Sequence, residues 1–174
     1  FKIVEKNKKI NLFKNEKFLG SWGKEKMHEF QGKVSMELTS FFHGMSDSDW
    51  TAVFHGSSLC KENSCLMLTG DSGSGKSSLS AILMNDNFAL IADDFSPMDD
   101  KGIHYNFPSA ISIKEGFYYE AKKLYKSFSE LNEYYINDIK GNVKYLADKI
   151  DKPILSSNCN TILNVKFGAG LKNE

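Results

Sequence analysis

Residues 64–78 read Ser-Cys-Leu-Met-Leu-Thr-Gly-Asp-Ser-Gly-Ser-Gly-Lys-Ser-Ser, an apolar run that breaks into a glycine-rich loop ending in Lys76 and Ser77. That order predicts a strand, a turn and a helix start. From Gly70 to Ser77 the residues fit G-x-x-x-x-G-K-[ST], the phosphate-binding loop. Gly70, Gly73 and Gly75 allow backbone conformations that a Cβ forbids. The N–H groups of the loop and helix start, across Gly70, Asp71, Ser72, Gly73, Ser74, Gly75, Lys76, Ser77 and Ser78, can then converge on phosphate oxygens. Lys76 adds a point charge for the β- and γ-phosphates, and the Ser77 hydroxyl suits Mg²⁺ ligation. A chance Gly/Ser surface loop is the bland alternative; the strand before it and the helix after it argue against that.

Beyond the loop, Leu79, Ile82 and Leu83 recur at helical spacing and Asn85-Asp86-Asn87 is a stop. Phe88 to Ala92 then reads as a buried strand that ends directly on Asp93 and Asp94. A strand ending in acid beside a phosphate loop suits metal-assisted phosphoryl transfer. One carboxylate holds Mg²⁺ or its waters, and another accepts a proton from an attacking hydroxyl. Only 17 positions separate Lys76 from Asp93, so the acid-bearing strand follows the loop helix immediately. A surface Asp-Asp turn is the alternative, and the apolar strand argues against it by aiming the pair at the loop end of a sheet. His55 ends the apolar run Trp50 to Phe54. An imidazole there can orient a carboxylate or contact a phosphate, although taken alone it reads first as a structural histidine. His28, His43 and His104 sit beside no chemical motif.

A chain of 174 residues suits one domain, expected over 1–174. Within it, 1–50 is a strand-rich N-terminal part, 51–115 carries the nucleotide and metal motifs, and 116–174 supplies a helix and closing strands. Lys+Arg and Asp+Glu both number 22, so no net charge draws the protein to nucleic acid or to a membrane surface. The basic residues are all lysine, and without arginine the chain has no arginine finger or bidentate guanidinium clamp. Cys60, Cys65 and Cys159 form no C-x-x-C pair and no even framework, which predicts buried or inert thiols in a reduced compartment. No apolar run approaches a membrane span, and Phe-Lys-Ile-Val-Glu at the start has neither a signal-peptide pattern nor a Met. A cytoplasmic protein, seen here as a piece of a longer chain, is the expectation.

Residues 1–56 predict strands at Ile3-Val4, Ile10 to Phe13, Phe18-Leu19, Val34 to Phe42 and Trp50 to Phe54, with turns at Asn7 to Lys9, Asn15 to Lys17 and Gly20 to Gly23. Phe41, Phe42, Trp50 and Phe54 are expected in a core rather than in a ligand-stacking cluster. Ser96 to Gly102 reads as a turn, and Ile103 to Phe107 and Ile111 to Ile113 as short strands. Glu115 to Leu131 keeps helical spacing through Phe117, Ala121, Leu124, Tyr125 and Phe128, predicting one amphipathic helix on the sheet. Tyr134 to Ile139, Val143 to Ala147 and Thr161 to Phe167 are the last strand candidates.

The stretch from His55 to Asp94, about 40 residues, resembles the catalytic domain of HPr kinase/phosphorylase, a bacterial serine kinase with an unusual phosphate loop. The matching elements are His55-Gly56, then an apolar strand, then Thr69-Gly70-Asp71-Ser72-Gly73-Ser74-Gly75-Lys76-Ser77, then a short helix and a strand ending in Ala92-Asp93-Asp94. The resemblance implies that Asp93 is general base toward a serine hydroxyl, that Asp94 and Ser77 serve the metal, and that His55 lies near the reacting phosphate. Three features depart from that family. Ser78 stands where the family has Glu after the loop serine. Its later glycine-rich segment has only a displaced echo in Phe167-Gly168-Ala169-Gly170, and its separate N-terminal domain is not recognisable. These departures imply a relative of that enzyme with a different substrate. Gly70 to Ser80, Ile91-Ala92-Asp93-Asp94 and Asp99-Asp100-Lys101-Gly102 are also similar to motifs of phosphoenolpyruvate carboxykinase. That enzyme is several times longer and holds its substrates with arginines, so the similarity implies shared architecture.

The expected fold is α/β: a mixed sheet with strand-rich flanking layers, the phosphate loop at a strand's carboxyl end, and few helices. The function implied is Mg²⁺-assisted transfer of the γ-phosphate of ATP to a hydroxyl, the partner being a serine of a protein or peptide. Two alternatives stay open. One is phosphotransfer to a small molecule, such as free serine or a carboxykinase-like substrate, and the other is a non-catalytic ATP sensor. A homo-oligomer is compatible with the sequence, since a second subunit is one source of the positive charge that arginine does not supply.

Overall fold

Two hairpins open the chain, and each turns on two residues of positive φ. The strands are β1 (Lys2–Lys6), β2 (Lys9–Lys14) and β3 (Lys17–Gly23), forming an antiparallel sheet in that order. Lys6 pairs with Lys9 and Lys14 with Lys17, so each loop has two residues. Asn7 and Lys8 take φ of 53° and 60°, and Asn15 and Glu16 take 48° and 66°. That is the left-handed pair a two-residue turn needs to match the strand twist. The computed structural model describes residues 1–62, 64–107, 109–138, 140–147 and 154–166. The chain packs as two compact units, Phe1–Asp47 and Ser48–Glu174.

In the first unit the sheet is joined by helix α1 (Met27–His43). The strand expected at Val34 to Phe42 is therefore helical. Val34, Met36 and Leu38 alternate with polar residues over a short window and imitate a strand. The longer period wins through Phe30, Glu37 and Ser40, which share the buried face, and through Gly44, which stops the helix in the left-handed conformation at φ 65°. Glu37 is buried between two ammonium groups, Lys33 Nζ at 2.7 Å and Lys14 Nζ at 2.9 Å. Burial alone pushes the Glu37 carboxyl up, yet the hydrogen bonds and charge of Lys33 and Lys14 together hold it below the usual range. Phe41 and Phe42 are exposed on this unit and form no core, which corrects the expectation for them.

The second unit holds eleven strands among its described residues, arranged in three sheets. The central one is built from β5 (Ser57–Lys61), β6 (Ser64–Thr69), β7 (Ala89–Ala92) and β14 (Thr161–Asn164), in the order β14-β6-β5-β7. Strand β14 runs parallel to β6, and β5 runs antiparallel to both β6 and β7. Helix α2 (Lys76–Asn85) connects β6 to β7 across β5. Its Ala81 packs with Leu59, Leu68, Leu90, Ile111, Ile113 and Phe128 in one core. A second sheet, in the order β13-β9-β8-β4, contains β4 (Trp50–Phe54), β8 (Ser96–Asp99), β9 (Ile103–Tyr105) and β13 (Ser156–Asn158). The third, in the order β10-β12-β11, contains β10 (Ile111–Lys114), β11 (Glu133–Asn137) and β12 (Gly141–Leu146). The protein is thus a mixed, strand-rich α/β structure with three α-helices among the described residues. No helix among those residues is long and apolar enough to cross a membrane.

Three expectations change in this unit. Ser96 to Asp99 is a strand paired with β4, and only Asp99 to Gly102 turns. There the Asp99 carboxylate accepts from the N–H groups of Lys101 and Ile103, each at 2.9 Å. The helix expected over Glu115 to Leu131 is broken into a 3₁₀ turn, α3 (Tyr118–Leu124) and a second 3₁₀ segment. The break lies at Tyr125, which is extended, and Phe128 beyond it is wholly buried. Finally, Cys60 and Cys65 are not free thiols. The β5–β6 hairpin sets them opposite each other with Cα atoms 4.1 Å apart, and they form a disulfide. Cys159 stays free, its thiol pushed up by burial.

Candidate active site

One end of the central sheet gathers the site. Strands β6, β7 and β14 are mutually parallel, so their carboxyl ends lie together, and antiparallel β5 brings its amino end to the same edge. The glycine-rich loop leaves β6 there, Asp93 and Asp94 follow β7, and His55-Gly56-Ser57 leads into β5. This is the position at which open α/β sheets bind ligands.

The loop takes the conformations its glycines foretell. Gly70, Gly73 and Gly75 have φ of 139°, 85° and 97°. Asp71, Ser72 and Gly73 form the exposed rim, and Ser74 N–H closes on Asp71 O at 3.1 Å. Lys76 is buried at 7% exposure, its Nζ donating to Gly70 O at 2.8 Å and Asp71 O at 3.0 Å. The ammonium is thereby held inside the loop. Gly75 caps α2 without any side-chain cap, and Ser77 and Ser78 sit half-buried in the first turn, where helical N–H groups have no intrahelical acceptor. The Ser74 hydroxyl is buried in the loop with no hydrogen-bond partner. An orphaned hydroxyl, an inward lysine and open helix amides are the donor set that suits an anion of several oxygens.

The two acids separate in character. Asp93 is 4% exposed, and its Oδ1 accepts from the Ser57 hydroxyl. Burial pushes its carboxyl up, the nearby Asp94 charge adds to that, and hydrogen bonds from Ser57 and from the Ser112 and Asp94 backbone oppose it; the balance stands at about 6. Ser109 grips the Asp93 main chain, its hydroxyl donating to the carbonyl at 3.2 Å and accepting from the N–H at 3.3 Å. Asp94 is half-exposed, with φ of 61°, a conformation that costs a non-glycine residue and turns its side chain off the strand line. His55, 65% exposed, lies beside it: Nδ1 is 3.3 Å from the Asp94 carbonyl oxygen and 3.9 Å from Oδ1.

The sheet thus brings Lys76, Ser77, Asp93, Asp94 and His55 to one edge, with His55 paired to Asp94 rather than to Asp93. Among the described residues, no cluster of three or more His, Cys, Asp or Glu could alone hold a metal ion. A Mg²⁺ ion here would draw on the Ser77 hydroxyl, Asp94, water and phosphate oxygens, a mixed set usual for that ion. Phe167 to Gly170 lies outside the described residues. Sequence reasoning missed Ser57, Ser109 and the buried triangle of Ser58, Ser96 and His104, in which both hydroxyls lie about 3 Å from His104 Nδ1. Burial holds that imidazole below its ordinary value, against the opposing pull of Asp99.

No family model matches this chain, and no curated protein matches it. Among solved structures it is similar to the HPr(Ser) kinase/phosphatase from Coxiella burnetii, at 16% identity and a TM-score of 0.41, over 66% of this chain and 59% of that one. The functional reading below therefore rests on the site's own residues.

The glycines and Asp93 make two predictions. A Cβ at Gly70 would lie 2.5 Å from the Val165 carbonyl oxygen, whereas one at Gly73 would meet nothing within 4 Å. In denaturant unfolding, Gly70→Ala should lose about 3 kcal/mol and Gly73→Ala about 1 kcal/mol, the latter reflecting φ alone. An acid whose folded pKa is raised is destabilised by ionising, so Asp93 costs stability as pH rises from 3.8 through about 6. Asp93→Asn should be more stable than wild type above that window, by on the order of 3 kcal/mol. The gap should close below about pH 4, as followed by urea unfolding across pH.

Proposed function

We propose that the protein transfers the γ-phosphate of ATP, with Mg²⁺, to a hydroxyl, the acceptor being a serine of a protein or peptide. The observation that carries this reading is the convergence, at one sheet edge, of a lysine-bearing glycine loop and a buried carboxyl poised at about 6. A general base works best with a pKa near the operating pH, since it is then both largely ionised and basic enough to take a proton. Phosphoryl transfer asks little covalent chemistry of the protein, so positioning and charge neutralisation carry the rate.

In this reading the loop amides and Lys76 hold and neutralise the phosphates. Ser77 and Asp94 would hold Mg²⁺, which when bound would supply electrostatic stabilisation of the phosphoryl oxygens. The acceptor oxygen attacks the γ-phosphorus, its proton passes to Asp93, and ADP leaves. His55, whose Nδ1 lies 3.9 Å from Asp94 Oδ1, orients that carboxylate.

Incubation with γ-labelled ATP and Mg²⁺ tests the reading. Wild type should pass label to a protein or peptide serine. Asp93→Asn should lower transfer at least about 10²-fold while ATP affinity stays within about twofold. Equal loss of binding and transfer would assign Asp93 to the metal instead. Label in a small molecule would favour free serine or a carboxykinase-like acceptor. No turnover with any acceptor, together with an ATP-dependent change in hydrogen exchange, would make the protein a sensor.

A further inference from the structure

Residues 55–58 read His-Gly-Ser-Ser, and the pleat of a strand sends successive side chains to opposite faces. Ser58 accordingly joins the buried triangle with Ser96 and His104, while Ser57 turns to Asp93 and donates its hydroxyl proton to Oδ1. Ser57 is wholly buried. Its backbone has little freedom, because it pairs opposite Leu68 and a Cβ on the preceding Gly56 would lie 2.5 Å from the Leu68 carbonyl oxygen. The main chain of Asp93 is fixed from its other side by Ser109 and by Phe95 N–H, which donates to the Asp93 carbonyl at 2.7 Å. The carboxylate itself accepts from the Ser57 hydroxyl and from the Ser112 and Asp94 backbone, and of these Ser57 is the side-chain contact.

We propose that Ser57 is a positioning residue for Asp93: its hydroxyl locks Oδ1 and leaves Oδ2 as the oxygen that receives the acceptor's proton. This rests on the reading of Asp93 as the base. A serine hydroxyl carries one proton, and in donating it to Oδ1 Ser57 removes one of the two ways the carboxylate could meet an incoming hydroxyl. A base held in one orientation meets the acceptor in a reactive geometry more of the time, and small misplacements of reacting groups cost rate steeply.

Ser57→Ala, Ser57→Thr, Ser58→Ala and Asp93→Asn, assayed together, test the proposal. Ser57→Ala should lower kcat about 10- to 100-fold with the KM for ATP little changed. Ser57→Thr, which keeps the hydroxyl, should restore most of the rate. Ser58→Ala, equally buried but bonded away from Asp93, should lower the thermal midpoint and leave kcat near wild type. An unchanged kcat in Ser57→Ala, while Asp93→Asn is inactive, overturns the positioning role and leaves the base intact. Activity retained in Asp93→Asn overturns the base reading itself. A crystal structure of Ser57→Ala decides independently of turnover: a rotated Asp93 carboxylate supports the role, and an unchanged one overturns it.

Discussion

The site depends on the pairing of β5 between β6 and β7. Because β5 runs antiparallel to both, its first residues reach the edge at which its neighbours end. Three chain segments far apart in sequence then share one edge: the glycine loop, the Asp93-Asp94 turn and the His55 to Ser57 lead-in. A one-residue slip of β5 would send Ser58 toward Asp93 and Ser57 toward His104, since strand side chains alternate. Gly56 guards that register, as its neighbour Leu68 leaves no room for a side chain. Lower in the same hairpin, the Cys60–Cys65 disulfide fixes the same pairing covalently.

The electrostatics follow from burial. Asp93 is enclosed, so ionisation carries a desolvation cost that its hydrogen bonds only partly offset. Asp94, one residue on, reaches solvent through its left-handed backbone and pairs with an exposed imidazole. Two adjacent carboxylates are thereby given different environments. No arginine contributes, and the positive charge built into the loop is Lys76 with the α2 amides. The carboxyl's raised pKa is a stability cost located at the proposed base, as expected where a function needs a strained group.

Local chemistry was legible wherever it was self-contained. The two hairpins could be read because Asn-Lys and Asn-Glu turns sit between alternating strands, and the loop because its glycines are needed for positive φ. Asp93 and Asp94 could be placed because an apolar strand aims them. What failed needed tertiary information. Val34 to Phe42 alternates like a strand, and its helix is settled by Gly44 and by lysines that neutralise Glu37, one of them from β2. Tyr125 breaks a helical pattern so that Phe128 can turn into the core. The Cys60–Cys65 bond and the Ser57–Asp93 contact both require knowing that β5 exists, and its Ser-Ser start hides a strand.

The central claim is that a nucleotide's phosphates seat on the loop between β6 and α2. Amide-resolved NMR during titration with Mg·ATP reads this directly. The account predicts the largest saturable shifts at Gly73 to Ser78, with Asp94 responding only when Mg²⁺ is present, and loss of all of them in Lys76→Ala. Shifts centred on another surface, or equal binding by Lys76→Ala, would contradict it.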